Sequence, residues 1–282
     1  SSLKRHSPDR SFFGAILALH RNQFREAVAC IEQAREGLDT ELSALVSESY
    51  NRAYQVVVRV QMLAELEELI VYKQCDEKKQ ATMRKTWETR LQGCQRNVEV
   101  WHRMLRLRAL VISPAENMRM WIKFANLCRK SGRMGLAEKS LKQLIGSDAP
   151  LETMIPYWPD NKSDRSGSTP PRNIPAQVTY AMLKYEWELG QQPAGRRQGI
   201  SERTLYCLQR FTNDTAHRLD VAKAHLAAQA GSTDGNLPTD YGIQGQIDPS
   251  LMSPQTQRAL YDQTVLLAKC YLRQGEWLIA LN

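Results

Sequence analysis

Apolar positions Trp87, Leu91, Cys94, Val98, Trp101 and Leu105 step by 4, 3, 4, 3 and 4 residues along the chain. That mean spacing of about 3.6 is the period of one face of an α-helix, so the pattern predicts an amphipathic helical stripe over 87–105. No stretch of useful length alternates apolar and polar residues with the period of two that a half-buried strand needs. Between Gly37 and Gly93 there is neither glycine nor proline for 55 positions. The two strongest breakers of regular structure are missing there, and long helices are expected. The pattern lapses twice, over Pro156–Pro175 (containing WPDNKSDRSGSTPPRNIP) and over Gly231–Pro254, both rich in Pro, Gly, Ser and Asp. These read as long polar loops inserted on a helical scaffold. The fold class implied is all-α.

An internal repeat organises the helices. Tetratricopeptide-like units pair two helices over about 34 residues, with large and small residues and a turn glycine at fixed offsets. The clearest copy is Trp121, Phe124, Ala125, Gly132, Ala137, Leu141 and Leu144, closing near Pro150. Here Trp121 should fill the interhelical groove, the alanines permit close approach, and Gly132 makes the turn. A second copy ends the chain with Leu267, Ala268, Tyr271, Gly275, Trp277 and Ala280, its second helix barely begun after a turn at Gly275. A weaker match opens it, at Asn22, Phe24, Ala27, Ile31 and Ala34, and a fourth runs from Thr179 through Met182 and Leu183 to Gly190. The expected organisation is repeats over 1–156, a polar loop over 157–174, a helical pair over 175–230, a polar loop over 231–255, and a truncated repeat over 256–282. Together they predict an α-solenoid. A final helix without its mate would leave Trp277 and Leu278 uncovered, so the sequence reads as an excerpt of a longer chain.

Composition fits this picture. The 282 residues are 42% apolar, enough for a substantial core, and 38 Lys and Arg against 30 Asp and Glu leave a net charge of +8. Mean hydropathy is −0.49, and no long uncharged apolar run suggests a membrane span. The opening SSLKRHSPDR lacks the apolar core of a signal peptide. Six cysteines without a CxxC pair are expected to be reduced thiols.

Catalytic motifs are missing. The five histidines form no HExxH pair, no cysteines sit at metal-ligand spacing, and there is no GxxxxGK[ST] loop, GxSxG elbow or protein-kinase signature. No catalytic residue and no metal site are expected. Glu65, Glu67 and Glu68 are read as a solvated helix face, and Cys94 and Cys128 as small core residues.

The basic excess carries more information. Lys123 and Lys130 are seven apart and share a helix face, about 10 Å apart along the axis. Lys269 and Arg273 are four apart and are surface neighbours that repel. Exposed solvated cations account for this at a cost of a few tenths of a kcal/mol. Alternatively, first helices of stacked repeats line a concave surface, where such pairs converge on a polyanion. Nucleic acid is not expected, because basic residues alternate with acids, as in RNVEVWHRMLRLR, and no RNA-binding or recognition-helix motif occurs.

The segments SESYNRAY at 47–54, QMLAELEELI at 61–70, RLQGCQR at 90–96, LVISP at 110–114, MWIKFANLCRKSGR at 120–133, QVTYAMLK at 177–184 and KCYLRQGEW at 269–277 resemble, in order, the FAT region of target of rapamycin kinases. These belong to the phosphatidylinositol-kinase-related group. The resemblance implies an α-solenoid that clamps the parent's own serine/threonine kinase domain, itself outside this chain. It also implies a dimeric complex with a β-propeller subunit and an adaptor held by HEAT repeats, acting in nutrient-responsive growth signalling in the cytoplasm and at vacuolar or lysosomal surfaces. The family carries inositol hexakisphosphate in a basic pocket. By alignment the pocket residues are Lys123 and Lys130 of WIKFANLCRK, Lys184 closing QVTYAMLK, Lys269 and Arg273 of KCYLRQGEW, and Arg96 closing RLQGCQR. Lysine and arginine are exchanged in the 269/273 pair relative to the animal pattern, which keeps charge and alters contact geometry. The rival reading is a tetratricopeptide-like module that takes a partner's extended peptide in its groove.

Overall fold

The computed structural model describes residues 7–46, 49–158, 174–191, 199–231 and 253–281. Among them are eleven helices and no strand. The chain divides into two compact units, Ser1–Gly132 and Arg133–Asn282. The division falls at the turn of the repeat read over 121–144. Most of the two polar loops, 159–173 and 232–252, lies outside the described residues.

The first unit holds α1 (Pro8–His20), α2 (Phe24–Val46), α3 (Tyr50–Gln74), α4 (Glu77–Gly93), α5 (Val98–Arg108) and α6 (Met118–Lys130). Helices α1 to α4 each pack on the next, α5 packs on α6, and α1 and α5 also meet α3, the largely neighbour-on-neighbour arrangement that stacked helical repeats produce. Ala27, Ile31, Ala34 and Leu38 give α2 an i, i+4, i+7, i+11 stripe that is fully buried. Asn22 makes the α1–α2 turn in the left-handed region, φ 59°. Lys73 of α3 fixes that turn, its Nζ donating to Asn22 Oδ1 at 2.8 Å and to the Leu19 carbonyl at 3.3 Å. Gly37 lets α1 approach α2 closely, since a Cβ there would sit 2.6 Å from Pro8 Cγ.

The stripe from Trp87 to Leu105 is not one helix. The helix breaks over Cys94–Asn97, where Cys94 and Asn97 are extended and the Asn97 side chain accepts hydrogen bonds from the Glu99 and Val100 amides at 2.8 and 3.3 Å, starting α5 as its N-cap. Trp87, Leu91, Val98, Trp101 and Leu105 are all buried, whereas Cys94 is half-buried at the break. Likewise α3 ends without glycine or proline: Cys75 is extended, and Gln80 Nε2 donates to the Tyr72 and Cys75 carbonyls at 3.0 and 3.3 Å.

The carboxylates read as a solvated face divide. Glu67 does lie at the surface, paired with Arg35 at 2.9 Å. Glu65, in contrast, is 1% exposed and faces Arg108, itself 2% exposed. Arg108 donates Nε to Glu65 Oε2 at 2.9 Å, Nη2 to Glu65 Oε1 at 2.6 Å, and Nη1 to the Trp87 carbonyl at 3.0 Å. Arg90 grips Glu68 through two bonds of 2.8 and 2.9 Å, and Trp87 Nε1 also donates to Glu68. Burial pushes the Glu68 carboxyl up, but the hydrogen bonds from Arg90 and Trp87 and the guanidinium charges outweigh it and hold the group below its ordinary value. This network ties α3, α4 and α5 together.

The second unit holds α7 (Met134–Ile145), the single turn α8 (Leu151–Met154), α9 (Ala176–Gly190), α10 (Ile200–Gly231) and α11 (Pro254–Leu281). Gly132, φ 72°, supplies the left-handed turn residue ahead of α7. Helix α9 is the core element: every residue from Val178 to Trp187 except Lys184 is buried, and α9 packs on α7, α8 and α10. Buried Thr204, Thr212 and Thr215 on α10 satisfy their hydroxyls by donating to carbonyls four residues back, each at 2.7 Å. Trp158, read as part of a polar loop, is 6% exposed.

The terminal repeat departs from the sequence reading. Helix α11 runs through Gly275 without a turn, and its buried residues are Leu266, Cys270 and Trp277. Of the template residues, Ala268, Tyr271 and Ala280 are exposed and Leu267 is half-buried. Trp277 is 3% exposed instead of uncovered, stacked on Trp187 of α9 with ring centroids 4.3 Å apart and planes 3° apart. Leu278 is exposed.

Candidate polyanion site

In the first unit, α6 buries Met120, Trp121, Phe124, Ala125 and Cys128. That choice of face turns Lys123 and Lys130 outward together. Lys123 is half-exposed, with its Nζ 3.8 Å from Glu88 Oε1; Arg119 Nε lies 3.5 Å from the same oxygen. Lys130 is exposed in the last turn, where a cation also complements the helix dipole. Arg96 is exposed on the α4–α5 connection, one residue before the Asn97 cap.

In the second unit, the other three cations lie on α9 and α11 near Tyr180. The Tyr180 hydroxyl donates to the backbone carbonyl of Lys269 on α11 at 3.1 Å, and the Arg273 guanidinium acts on the same hydroxyl. Lys184 Nζ sits 4.6 Å from the centre of the Tyr180 ring, one helical turn away, in cation–π range. Burial pushes the Tyr180 hydroxyl up, against the opposing influence of Arg273. Lys269 is exposed, and Arg273 is half-buried and paired with Glu276 at 2.7 Å. The repulsion expected between Lys269 and Arg273 is thus offset locally by Glu276. Beneath them Cys270 is fully buried; burial lifts its thiol to about 12, although Thr212 and the Lys184 charge act the other way.

The structure therefore brings Lys184 over the Tyr180 ring and fastens the α11 backbone at Lys269, one turn before Arg273, to the Tyr180 hydroxyl in the second unit, and places Lys123 and Lys130 on one flank of α6 in the first. Tyr180 was not legible as a site residue. Its only sequence signal is its position four residues before Lys184 on a helix, and its partner on α11 is 89 residues away. Among the described residues, no group of three His, Cys, Asp or Glu side chains could hold a metal ion. No described helix is long and apolar enough to cross a membrane.

Comparison with known proteins places this geometry in context. The FAT domain model matches residues 1–282. The chain is 45% identical over its whole length to "Serine/threonine-protein kinase TOR2" of Saccharomyces cerevisiae, covering 10% of that protein. It is 41% identical over 98% of its length to "Serine/threonine-protein kinase tor1" of Schizosaccharomyces pombe, covering 10%. Against "Serine/threonine-protein kinase TOR" of Arabidopsis thaliana the figures are 38% over 82%, covering 9%. "Serine/threonine-protein kinase ATR" of rice is a more distant relative, 29% identical over 52% of the chain. The chain spans about a tenth of the length of the relatives it matches. With a full-length match and an all-α fold of serially packed helices, the chain belongs to the FAT domain family.

Proposed function

We propose that this chain is the non-catalytic scaffold segment of a TOR-type serine/threonine kinase, and that its basic residues hold inositol hexakisphosphate. The scaffold role is supported by the FAT match over the entire chain and by relatives named as serine/threonine kinases, of which it spans a tenth. In the parent protein the helical units brace the kinase domain. The parent's phosphotransfer, dimeric assembly, β-propeller and adaptor subunits, growth-signalling role and cytoplasmic location belong to the same proposal.

The observation that carries the ligand reading is the Tyr180 cluster. Lys184 lies over the Tyr180 ring, the Tyr180 hydroxyl ties down the α11 backbone at Lys269, and Arg273 follows one turn later on α11, so cations from two helices are held near one residue in a set that suits a compact polyphosphate. Lys184 and Lys269 act as point charges, and the Arg273 guanidinium keeps donors beyond the one used by Glu276. When bound, the polyphosphate supplies the negative charge that relieves repulsion among these groups. On the resemblance alone, Lys123, Lys130 and Arg96 of the first unit are proposed as further members of the ligand set. Calorimetric titration of the 282-residue chain with inositol hexakisphosphate tests this. Lys184→Glu/Lys269→Glu and Lys123→Glu/Lys130→Glu should each abolish measurable binding and remove ligand-induced thermal stabilisation. Binding that survives both double changes refutes the pocket.

A further inference from the structure

The first unit contains a cleft of about 610 Å³ between α1, α2, α3 and α5, within the size range of small-molecule sites. It has no part in the basic cluster described above. Its floor is hydrocarbon: Phe12 and Ile16 of α1, Leu38 of α2, Leu63 of α3, and Leu107 with Leu110 from the end of α5. Its mouth is cationic, with Arg59, Arg103 and Arg106 lining it against the single carboxylate of Asp9. Arg59 is already engaged by Asp9 and by Glu41, the latter at 3.2 Å. Arg103 and Arg106 are exposed neighbours at i, i+3 on α5, and no described carboxylate forms an ion pair with either. The remaining titratable group there, His102, is stacked on Phe124 with centroids 5.5 Å apart.

Two incompatible surfaces therefore meet at one opening. An apolar floor open to water loses roughly 25 cal/mol for each Å² left wet, and two adjacent guanidinium groups repel until an anion sits between them. A single ligand relieves both. We propose that the cleft binds an amphiphilic anion, with an unbranched hydrocarbon tail along the floor and one carboxylate or phosphate head held by Arg103 and Arg106. The preceding residues Lys4, Arg5 and His6 have the wrong charge to be the occupant. A tailless polyanion leaves the floor wet, and a neutral lipid leaves the arginines unpaired.

The test is a fluorescence titration of the 282-residue chain with a dansyl-labelled undecanoate. Saturable binding should be displaced by oleate or by dodecyl phosphate, and the more potent of the two identifies the head group. Oleyl alcohol, inorganic phosphate and inositol hexakisphosphate should not displace it. Arg103→Glu/Arg106→Glu should weaken binding by about tenfold or more with helical circular dichroism unchanged, since both side chains are exposed, and Arg103→Lys/Arg106→Lys should retain most of it. The reversal should leave inositol hexakisphosphate binding intact, which separates this site from the basic cluster. The proposal is overturned by no saturable signal, by equal displacement with oleyl alcohol, by indifference to charge reversal, or by displacement with an acidic amphipathic peptide but neither lipid-like anion.

Discussion

The Glu65–Arg108 pair allows a sharp test of how the first unit is held together. Arg108→Met keeps most of the side chain's aliphatic volume but removes three donors, the two to Glu65 and the one to the Trp87 carbonyl. Glu65, 1% exposed, is then left with Arg90 Nη1 at 3.5 Å, a contact at the outer limit of a hydrogen bond. Stranding a buried charge in this way costs about 3–5 kcal/mol. For a unit of this size that is roughly 10–20 °C in midpoint. Removing both charges behaves differently, because neither ion then has to be desolvated. Glu65→Leu/Arg108→Met should recover to within about 1 kcal/mol of the parent chain. Urea unfolding followed by far-ultraviolet circular dichroism on the parent, both single variants and the double variant closes the cycle. A loss below about 1 kcal/mol for Arg108→Met, or a double variant as unstable as the worse single one, refutes the argument.

Gly275→Ala should stabilise the chain by about 0.5–1 kcal/mol in thermal unfolding, because the position is helical and nothing lies within 4 Å of an added Cβ; a loss would restore the turn that the repeat pattern suggests. Gly37→Ala removes the same intrinsic helix penalty, yet its Cβ would meet Pro8 Cγ at 2.6 Å, so a net loss is expected in the same assay and a gain contradicts the close approach. Alkylation with mass-spectrometric readout at neutral pH should label Cys30, Cys75 and Cys94 before the buried Cys128, Cys207 and Cys270. Burial raises the Cys207 and Cys270 thiols from the ordinary 9.0 to about 12. Below pH 9 both states keep these thiols protonated, whereas between 9 and 12 ionisation favours the unfolded chain. Stability should therefore fall over that window, and Cys207→Ala/Cys270→Ala should flatten the dependence.

Local signals were readable and distant ones were not. The repeat template located α6 and α9, and Gly132 marked a real turn, because these depend on side-chain spacing and backbone preferences within a few residues. The apparent continuity from Trp87 to Leu105 misled for a geometric reason. The Cys94–Asn97 connection is four residues long, close to one helical turn, so the apolar spacing continues across a break in the helix. Gly275 sits where a tetratricopeptide turn belongs, but a glycine in the middle of a helix costs only about 1 kcal/mol, and the buried set of Leu266, Cys270 and Trp277 continues the helix past it. Glu65 and Arg108 are 43 residues apart, and nothing near either distinguishes a buried ion from a solvated one. In the candidate site, the cations were visible as residue types at helical spacing. Tyr180 was hidden because its role comes entirely from a contact between α9 and α11.

The face-to-face indoles of Trp187 and Trp277 have a further consequence. They join α9 to α11, two helices far apart in sequence, and a ring pair of this kind adds about 0.5–1.5 kcal/mol beyond the area it buries. Each indole shields the face of the other, so loss of either one wets its mate, and substitutions at the two positions should be tolerated only in concert.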